Sequence, residues 1–274
     1  MNDVRLRPAA LAFDAVAPLF DARFGSWLSV AAQRRAVRRA LVAALPVGGR
    51  VLEVGGGTGE DAAWLARRGF RVTLTDASPA MATVADAKLK PFGLRAEVAA
   101  AEELDNFAER HLQDGGEPFD GVFSNFAPLN CVENLSPVAR ALARLVRPGG
   151  SATLVLFGIA SPGEILVESL SGRSRQALRR FRRGAVPARL GGQHFTVTYH
   201  RAAALRQAMQ PWFQLTRKQG IGIFVPPSAA EPWISRHPYL LALLEGLDRF
   251  AARPLAPLGD HILYHFTRDG APTP

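Results

Sequence analysis

Apolar and polar positions form a repeating block pattern over the first 160 residues, in which short apolar runs alternate with longer stretches of helical period. The apolar runs predict five strands, at residues 50–54, 71–75, 94–99, 119–124 and 151–157. Helices are predicted between them at residues 61–68, 78–88 and 137–145. Gly69 ends the first helix, and Ser78 and Pro79 provide the N-cap and the first turn of the second. Alternating strands and helices predict an α/β fold with a parallel sheet, whose ligands bind beyond the carboxyl ends of the strands.

Two parts of the chain lie outside this alternation. The first 45 residues have a helical pattern, and residues 161–192 contain a helix, a basic stretch and a glycine pair. A helix at residues 201–209 and two strands at 212–218 and 261–268 follow. We therefore expect one domain over residues 1–274, with a helical cap or lid at 8–45 and an inserted substrate-cap segment at 158–199.

Composition narrows the cellular setting of the chain. No apolar run approaches the roughly 20 residues that a membrane-spanning helix needs, and the first residues do not form a signal peptide. The single cysteine, Cys131, excludes an internal disulfide and offers no metal cluster. We expect a cytoplasmic protein without a metal. Arginine supplies almost all of the positive charge behind the net charge of +9. This favours a general bias in amino-acid composition over a surface that binds nucleic acid.

A cluster of glycines, at positions 55, 56, 57 and 59, follows the first strand directly and precedes a helix. A strand, a glycine-rich turn and a helix start form a nucleotide-type site, where a ligand lies against the backbone and free N–H groups. The spacing G-x-G-x-G differs from the dinucleotide fingerprint G-x-G-x-x-G, which would need glycine where Glu60 stands. No Gly-Lys-Ser/Thr follows, so the phosphate-binding P-loop is excluded as well.

Acidic residues surround this turn. Glu53 ends the first strand, and Glu60 and Asp61 begin the helix, so an anionic phosphate would be repelled and a cation favoured. Asp76 follows the second strand, at a position where a carboxylate accepts hydrogen bonds from ribose hydroxyls. A ribose, a positive charge and no phosphate together describe S-adenosylmethionine.

The segments "VLEVGGGTGEDAAWLARRGFRVTLTDASPAM", "FDGVFSNFAPLNCVENL" and "ALARLVRPGGSATLVLF" resemble class I S-adenosylmethionine-dependent methyltransferases, and "FDAVAPLFD" resembles the cap of their small-molecule members. The resemblance implies a Rossmann-like, seven-stranded, mostly parallel sheet with helices on both faces. It also implies S-adenosyl-L-methionine as cofactor and S-adenosyl-L-homocysteine as product. The cofactor positions that it implies are Glu53, Gly55, Gly57, Thr58 and Gly59 for the methionine part, Asp76 for the ribose, Ala77, Met81, Ala101 and Glu102 for the adenine, and Asn125 and Phe126 beside the methyl group.

Three of these positions also fit a structural role without a ligand. Met81 is also typical of a core residue, Glu102 of a surface carboxylate, and Asp76 of a helix start. For the substrate we expect an aromatic series on one helical face of the cap, together with an amide after the fourth strand: Phe13, Phe20, Phe24, Trp27 and Asn130. Packing of the aromatic series against the sheet is the alternative.

The acceptor of the methyl group is less well defined. The Asn/Asp-Pro-Pro-Tyr/Phe tetrad of amino-methylating nucleic-acid enzymes is absent, since residues 124–127 read Ser-Asn-Phe-Ala. Six arginines between Arg173 and Arg183 fit either an anionic substrate or a solvated helix face. No general base stands out among the candidates, which are His194, Tyr199, His200, His237 and His261.

We therefore expect methyl transfer to an O, N or C atom of a small molecule, which the arginines would suit if it is anionic. Nucleic acid and membrane are not expected partners, and a homodimer is left open. The alternatives are an RNA methyltransferase and a protein that binds S-adenosylmethionine without transferring its methyl group.

Overall fold

The structure of the chain is a computed structural model that describes residues 6–270. Its strands are β1 Arg50–Val54, β2 Arg71–Asp76, β3 Ala96–Val98, β4 Phe119–Ser124, β5 Val146–Phe157, β6 Ala185–Leu190, β7 Gln193–Thr198, β8 Phe213–Ile221 and β9 His261–Arg268. Its α-helices are α1 Pro8–Asp14, α2 Ala17–Phe24, α3 Leu28–Val42, α4 Glu60–Ala66, α5 Pro79–Leu89, α6 Leu104–Gln113, α7 Ser136–Leu145, α8 Pro162–Leu170, α9 Ser174–Ala177, α10 Ala202–Met209, α11 Glu231–Ile234 and α12 Pro238–Ala251.

Seven strands form one sheet in the order β3-β2-β1-β4-β5-β9-β8. Strands β1 to β5 are parallel, whereas β9 runs antiparallel to both of its neighbours, β5 and β8. The strand order reverses between β1 and β4, which opens a crevice at their carboxyl ends. The predicted seven-stranded, mostly parallel sheet is confirmed.

Helices cover both faces of this sheet. Neighbouring residues of one strand belong to different apolar cores: Val51 packs with α3, α4 and α5, whereas Leu52 packs with α6 and α7. Alternate side chains of a strand point to opposite faces, so each strand contributes to both cores. Burial on both faces explains why the strands have continuous apolar runs rather than an alternating pattern.

Several elements differ from the sequence-based expectation. Strand β5 begins at Val146 rather than residue 151, because Val146 already pairs with Phe119 across a register shift. The stretch before the Asp-Gly-Gly turn forms α6, which we did not predict, and α12 was also missed. The expected helix and basic stretch at residues 161–192 are followed by a hairpin, β6–β7. Its turn is the pair Gly191-Gly192, which has φ values of +55° and +80°. Positive φ at both central residues is typical of tight hairpin turns, and glycine adopts it without strain.

The N-terminal helices and this hairpin meet above the carboxyl edge of the sheet. Helix α1 packs against β7, and α2 packs against α5. A Cβ atom on Gly191 would lie 2.9 Å from Val16 and 3.2 Å from the carbonyl of Ala12, so the hairpin turn directly contacts the link between α1 and α2. Within residues 6–270 no helix is long and apolar enough to cross a membrane.

Candidate active site

Three of the four glycines in the glycine turn are packed tightly against other residues of the protein. Added Cβ atoms would come within 2.4 Å of Pro128 at Gly55, 2.4 Å of Leu74 at Gly56 and 3.0 Å of Ala85 at Gly59. Gly57, with φ +56°, is different, because a Cβ there would meet nothing within 4 Å. Protein packing therefore accounts for three glycines, whereas Gly57 leaves an open side on the backbone.

Glu53 lies at the end of β1 beneath this turn and is 2% exposed. Its Oε2 atom has no hydrogen-bond partner among the described residues. Burial and the nearby charge of Asp61 raise the pKa of Glu53 well above its ordinary value, while Arg34, Arg38 and the Ala62 N–H act in the opposite direction. A buried carboxylate oxygen without a partner is costly in the ligand-free protein, and a cationic group would satisfy it.

The other two carboxylates beside the turn already have cationic partners. Asp61 accepts hydrogen bonds from Arg38 Nε at 2.6 Å and Asn125 Nδ2 at 2.7 Å, and Arg34 lies 3.5 Å away. Glu60 pairs with Lys88 Nζ at 2.6 Å on the surface. The expectation that three carboxylates attract a cation is therefore wrong for Glu60 and Asp61, because these basic residues neutralise them, and only Glu53 retains that role.

Asp76 ends β2 and faces the turn. Its carboxylate accepts hydrogen bonds from the backbone N–H groups of Gly57 at 2.8 Å and Ser78 at 2.9 Å. Burial raises the pKa of Asp76, and these two hydrogen bonds lower it. Ala77 is half-buried beside it, and Met81 is 1% exposed in the first turn of α5, where its N–H bonds to the N-cap Ser78 at 3.1 Å. Two donors leave lone pairs on Asp76 free for ribose hydroxyls.

Ala101 and Glu102 follow β3, as the sequence order requires, and both are half-buried. Glu102 forms an ion pair with Arg7 at 3.3 Å. Cys131 lies close to both Glu102 and Asp76, and burial first, then these two charges, raise the pKa of its thiol to about 12. The thiol is therefore a neutral, weakly polar part of this side of the site.

The chain turns sharply after β4. Phe126 and Ala127 have φ values of +58° and +65°, a left-handed conformation that non-glycine residues rarely adopt. Asn125 holds this corner, because its Oδ1 accepts the Phe126 N–H at 2.8 Å while its Nδ2 bonds to Asp61. Strain of this kind is concentrated at functional sites, and here it lies at the crevice between β1 and β4.

The aromatic series of the cap does not share one helical face, so that expectation is wrong. Phe13 is on α1 and contacts Phe195 of the hairpin, with ring centres 6.1 Å apart. Phe20, Phe24 and Trp27 form a separate stack with ring centres 4.7 and 4.8 Å apart. A new helix begins at Ala17, with Pro18 in its first turn, and this splits the series. A substrate role for these rings stays a prediction.

Polar contacts attach the cap to the cofactor side of the crevice. Asp21 of α2 accepts a hydrogen bond from Thr58 Oγ1 at 2.6 Å and pairs with Lys88 at 2.5 Å. Asp14 accepts hydrogen bonds from Ser78 Oγ and the Ala80 N–H, both at 2.8 Å. Thr58 is thus already bonded to the cap, and the cap covers the glycine turn.

Asn130 is fully buried and its amide bonds to the backbone. Its Nδ2 donates to the Thr198 carbonyl at 2.6 Å, and its Oδ1 accepts the Phe157 N–H at 3.1 Å. This arrangement ties the hairpin to the ends of β4 and β5. The predicted substrate contact of Asn130 gains no support from it.

A buried cluster that the sequence did not indicate lies next to Phe126. Arg180 of the insertion pairs with Glu164 of α8 and donates to Asp260 Oδ1 at 2.8 Å. Its Nη1 atom also donates to the carbonyls of Gly158 at 2.9 Å and Asp260 at 2.6 Å. His261 Nδ1 lies 3.3 Å from Asp260 Oδ2. In the sequence, the only sign of this cluster was the adjacent pair Asp260-His261 at the start of a predicted strand. The basic partner, Arg180, lies 80 residues away along the chain.

The arginine cluster divides into two groups. Arg173 is exposed but pairs with Glu168, Arg179 bonds to Glu164 at 2.8 Å and Arg180 is buried, whereas three exposed side chains have no partner among the described residues: Arg175, Arg182 and Arg183. The solvated helix face that we considered is absent from this stretch, because α9 spans only Ser174–Ala177 and the chain is extended at Arg182. The residues that the structure describes hold no group of three or more side chains suited to a metal ion.

Comparison with known proteins agrees with this geometry. Residues 51–150 match the family model described as a methyltransferase domain. The fold is similar to the methyltransferase CcbJ from Streptomyces caelestis (15% identity, 94% and 98% of the two chains, TM-score 0.59) and to the [4+2]-cyclase SpnF (16%, 96% and 96%, 0.60). It is also similar to 1,6-didemethyltoxoflavin-N1-methyltransferase from Burkholderia thailandensis with bound 1,6-didemethyltoxoflavin and S-adenosylhomocysteine (19%, 95% and 88%, 0.51). None of the curated proteins compared with the chain matches it.

The family match spans β1 to the start of β5 and therefore contains the glycine turn, Glu53, Asp76 and the corner at Phe126. The unsatisfied oxygen of Glu53 and the open side of Gly57 fit a ligand with a positive charge, as the family cofactor has. Residues 51–150 therefore match a methyltransferase domain, and the fold of the chain is similar to that of solved S-adenosylmethionine-dependent methyltransferases.

Proposed function

We propose that this enzyme transfers the methyl group of S-adenosylmethionine to an O, N or C atom of a small molecule. Glu53 would bind the cationic methionine part and Asp76 the ribose hydroxyls, with Ala77, Met81, Ala101 and Glu102 around the adenine. The cofactor supplies the electrophilic methyl group on its sulfonium. The residues at the carboxyl edge would orient the acceptor and exclude water, which is where much of the catalysis of an in-line displacement comes from.

One observation carries the choice of a small acceptor. The cap and the insertion meet above the carboxyl edge of the sheet, where Gly191 touches the link between α1 and α2 and Phe13 touches Phe195. Asn130 and Arg180 fasten the insertion to the ends of β4, β5 and β9. A roof of this kind suits a compact molecule and leaves little room for a folded RNA at the methyl group.

Two alternatives have weaker support. An RNA substrate would have to rely mainly on the three unpaired arginines of the insertion, since the other three of that cluster are ion-paired to Glu164 and Glu168. A role without methyl transfer is represented among the structural neighbours by the [4+2]-cyclase SpnF. A cytoplasmic location, a homodimer and an anionic substrate stay predictions.

The test is a methyl-transfer assay on fractionated extract of the source organism, using S-adenosylmethionine with a labelled methyl group. We expect label in the low-mass fraction and not in RNA or protein. Label in RNA, with binding that weakens steeply as salt is raised, would establish the RNA alternative instead. Calorimetric titration should also show binding of S-adenosylhomocysteine and not of NAD or ATP. Tighter binding of NAD would contradict the cofactor assignment.

A further inference from the structure

The candidate general bases can be separated by the partners of their side chains. His200 Nε2 bonds to the Val132 carbonyl at 2.8 Å, and His237 Nδ1 bonds to the Trp233 carbonyl at 2.9 Å on the surface. His194 is exposed on the hairpin. Burial raises the pKa of Tyr199, which keeps its hydroxyl protonated at neutral pH. None of these four combines a free basic nitrogen with a place at the carboxyl edge of the sheet.

His261 has both properties. It is the first residue of β9, opposite Phe157 at the end of β5, and is 6% exposed. Its ring stacks on Phe157 with centres 5.0 Å apart and meets the edge of Phe126 at 5.7 Å. Nδ1 lies 3.3 Å from Asp260 Oδ2 without a hydrogen bond of good geometry, and Nε2 has no hydrogen-bond partner among the described residues. The imidazole therefore stands directly beside the strained corner that follows β4.

Asp260 is held in its ionised form. Burial raises its pKa, but a protonated imidazole at His261 and the charge of Arg180 outweigh burial and keep the pKa below its ordinary value. Arg180 Nη2 bonds to Oδ1 at 2.8 Å, and Gln33 Nε2 bonds to Oδ2 at 3.2 Å. A carboxylate beside Nδ1 favours the tautomer with its proton on Nδ1, and it stabilises the imidazolium that forms when Nε2 accepts a proton. This leaves Nε2 as a basic acceptor.

Aromatic rings surround the imidazole of His261. Phe157 and Tyr199 have ring centres 5.9 Å apart, and His261 and Phe126 complete the frame. Arg180 lies over the Phe157 ring at 4.8 Å, and Arg34 lies over the Phe126 ring at 5.0 Å. These cations and His261 already cover faces of Phe157 and Phe126, so an aromatic ligand would gain mainly from edge contacts with the surrounding rings.

We propose that His261 is the general base of this enzyme and that the acceptor is a planar ring bearing an ionisable hydroxyl group. This inference rests on the proposed methyl transfer to a small molecule. The acceptor oxygen forms its bond to the methyl carbon while the carbon–sulfur bond breaks, and that electron pair stays on sulfur. The O–H proton moves to Nε2 of His261, and solvent removes it before the next turnover. Asp260 and Arg180 position the imidazole.

Charged groups from three parts of the chain face this cluster. Asp260 lies on the same segment, Glu164, Arg179, Arg180 and Tyr199 face the cluster from the insertion, and Arg34 faces it from α3.

The direct test uses 4-nitrophenol as the probe, added to the complex with S-adenosylhomocysteine at a pH where the free phenol is almost wholly un-ionised. We expect it to bind with the absorption band of the phenolate, because Nε2 takes its proton. His261→Asn keeps a donor toward Asp260 and removes Nε2, so the phenol should bind there un-ionised. His194→Asn is the matched control and should behave as the wild type. Asp260→Asn should keep the phenol bound and weaken its ionisation.

Each result has a separate meaning. Binding of the neutral phenol to the wild type, or an equal phenolate band in His261→Asn, would overturn the role of His261. No binding of the phenol to a protein that binds S-adenosylhomocysteine would overturn the acceptor class. Failure to bind S-adenosylhomocysteine would count against the proposed function itself. Once an acceptor is known, His261→Asn should lower kcat by about 10²–10⁴-fold with little change in the affinity for S-adenosylhomocysteine.

Discussion

Replacing Glu53 with glutamine should change stability and cofactor affinity in opposite directions. In the ligand-free protein the buried Oε2 atom has no partner, and the charge of Asp61 repels it. Because the pKa of Glu53 is raised in the folded state, its ionisation destabilises the fold, and this cost is present at pH values above that raised pKa. Glu53→Gln removes the cost, so we expect the free energy of unfolding to rise by about 1–3 kcal/mol.

In a chain of this size the gain corresponds to a rise in Tm of a few degrees. It should grow as the pH is raised from the ordinary pKa of a glutamate through the raised pKa of Glu53, and it should vanish below the ordinary pKa, where the carboxyl is protonated in both the folded and the unfolded state. Affinity should move the other way. Losing a charge-assisted hydrogen bond to the methionine part removes about 1.5–3 kcal/mol, which is about a tenfold to a hundredfold weaker Kd for S-adenosylhomocysteine.

Scanning calorimetry without ligand and titration calorimetry with S-adenosylhomocysteine measure the two effects. Glu60→Gln is the matched control, since Glu60 is a surface partner of Lys88 and should change both quantities little. A Glu53→Gln protein that is less stable without ligand, or that binds S-adenosylhomocysteine as tightly as the wild type, would refute the reasoning.

Three further results are expected. Asp76→Ala should weaken S-adenosylhomocysteine binding about tenfold to a hundredfold without unfolding the protein, measured by titration and circular dichroism, and an unchanged Kd would make Asp76 only a helix-start residue. Residues 8–30 should gain protection from hydrogen exchange when S-adenosylhomocysteine is added, and equal protection in both states would show that the cap is a fixed part of the core. Arg180→Ala should lower stability by about 3–5 kcal/mol, seen as a fall in Tm, because Glu164 and Asp260 lose their buried partner; an unchanged Tm would show that the pair is not needed.

The proximity of Glu53, the glycine turn and Asp76 could be predicted because these residues are close in sequence. Glu53, the glycines and Asp76 lie at the ends of two consecutive strands, and parallel strands bring their carboxyl ends to one edge. Spacing alone therefore placed them together. What spacing could not show is which charges are already neutralised: Arg38 reaches Asp61 from 23 residues away, on a helix whose position depends on the whole fold.

The acceptor side depends on contacts that no local pattern contains. His261 reaches Phe157 only because β9 runs antiparallel to β5, and Arg180 reaches Asp260 across an insertion. The hairpin was missed because its strands are short and mostly exposed, so they lack the apolar alternation that marks a buried strand. The aromatic series was misplaced because a second helix begins at Ala17.

Because β9 lies between β5 and β8, the strands of the sheet must pair in a particular order while the chain is being synthesised. Strand β8 is made some 40 residues earlier than β9, yet its one neighbour in the sheet is β9. Chains fold from the N-terminus as they emerge from the ribosome, so β1 to β5 can pair with one another first. Strand β8 has no pairing partner until β9 has been made. Because His261 is the first residue of β9, the acceptor side is completed by one of the last segments to be translated. A ribosome-bound chain that has not yet added β9 would therefore have the glycine turn, Glu53 and Asp76 in place before His261 is made.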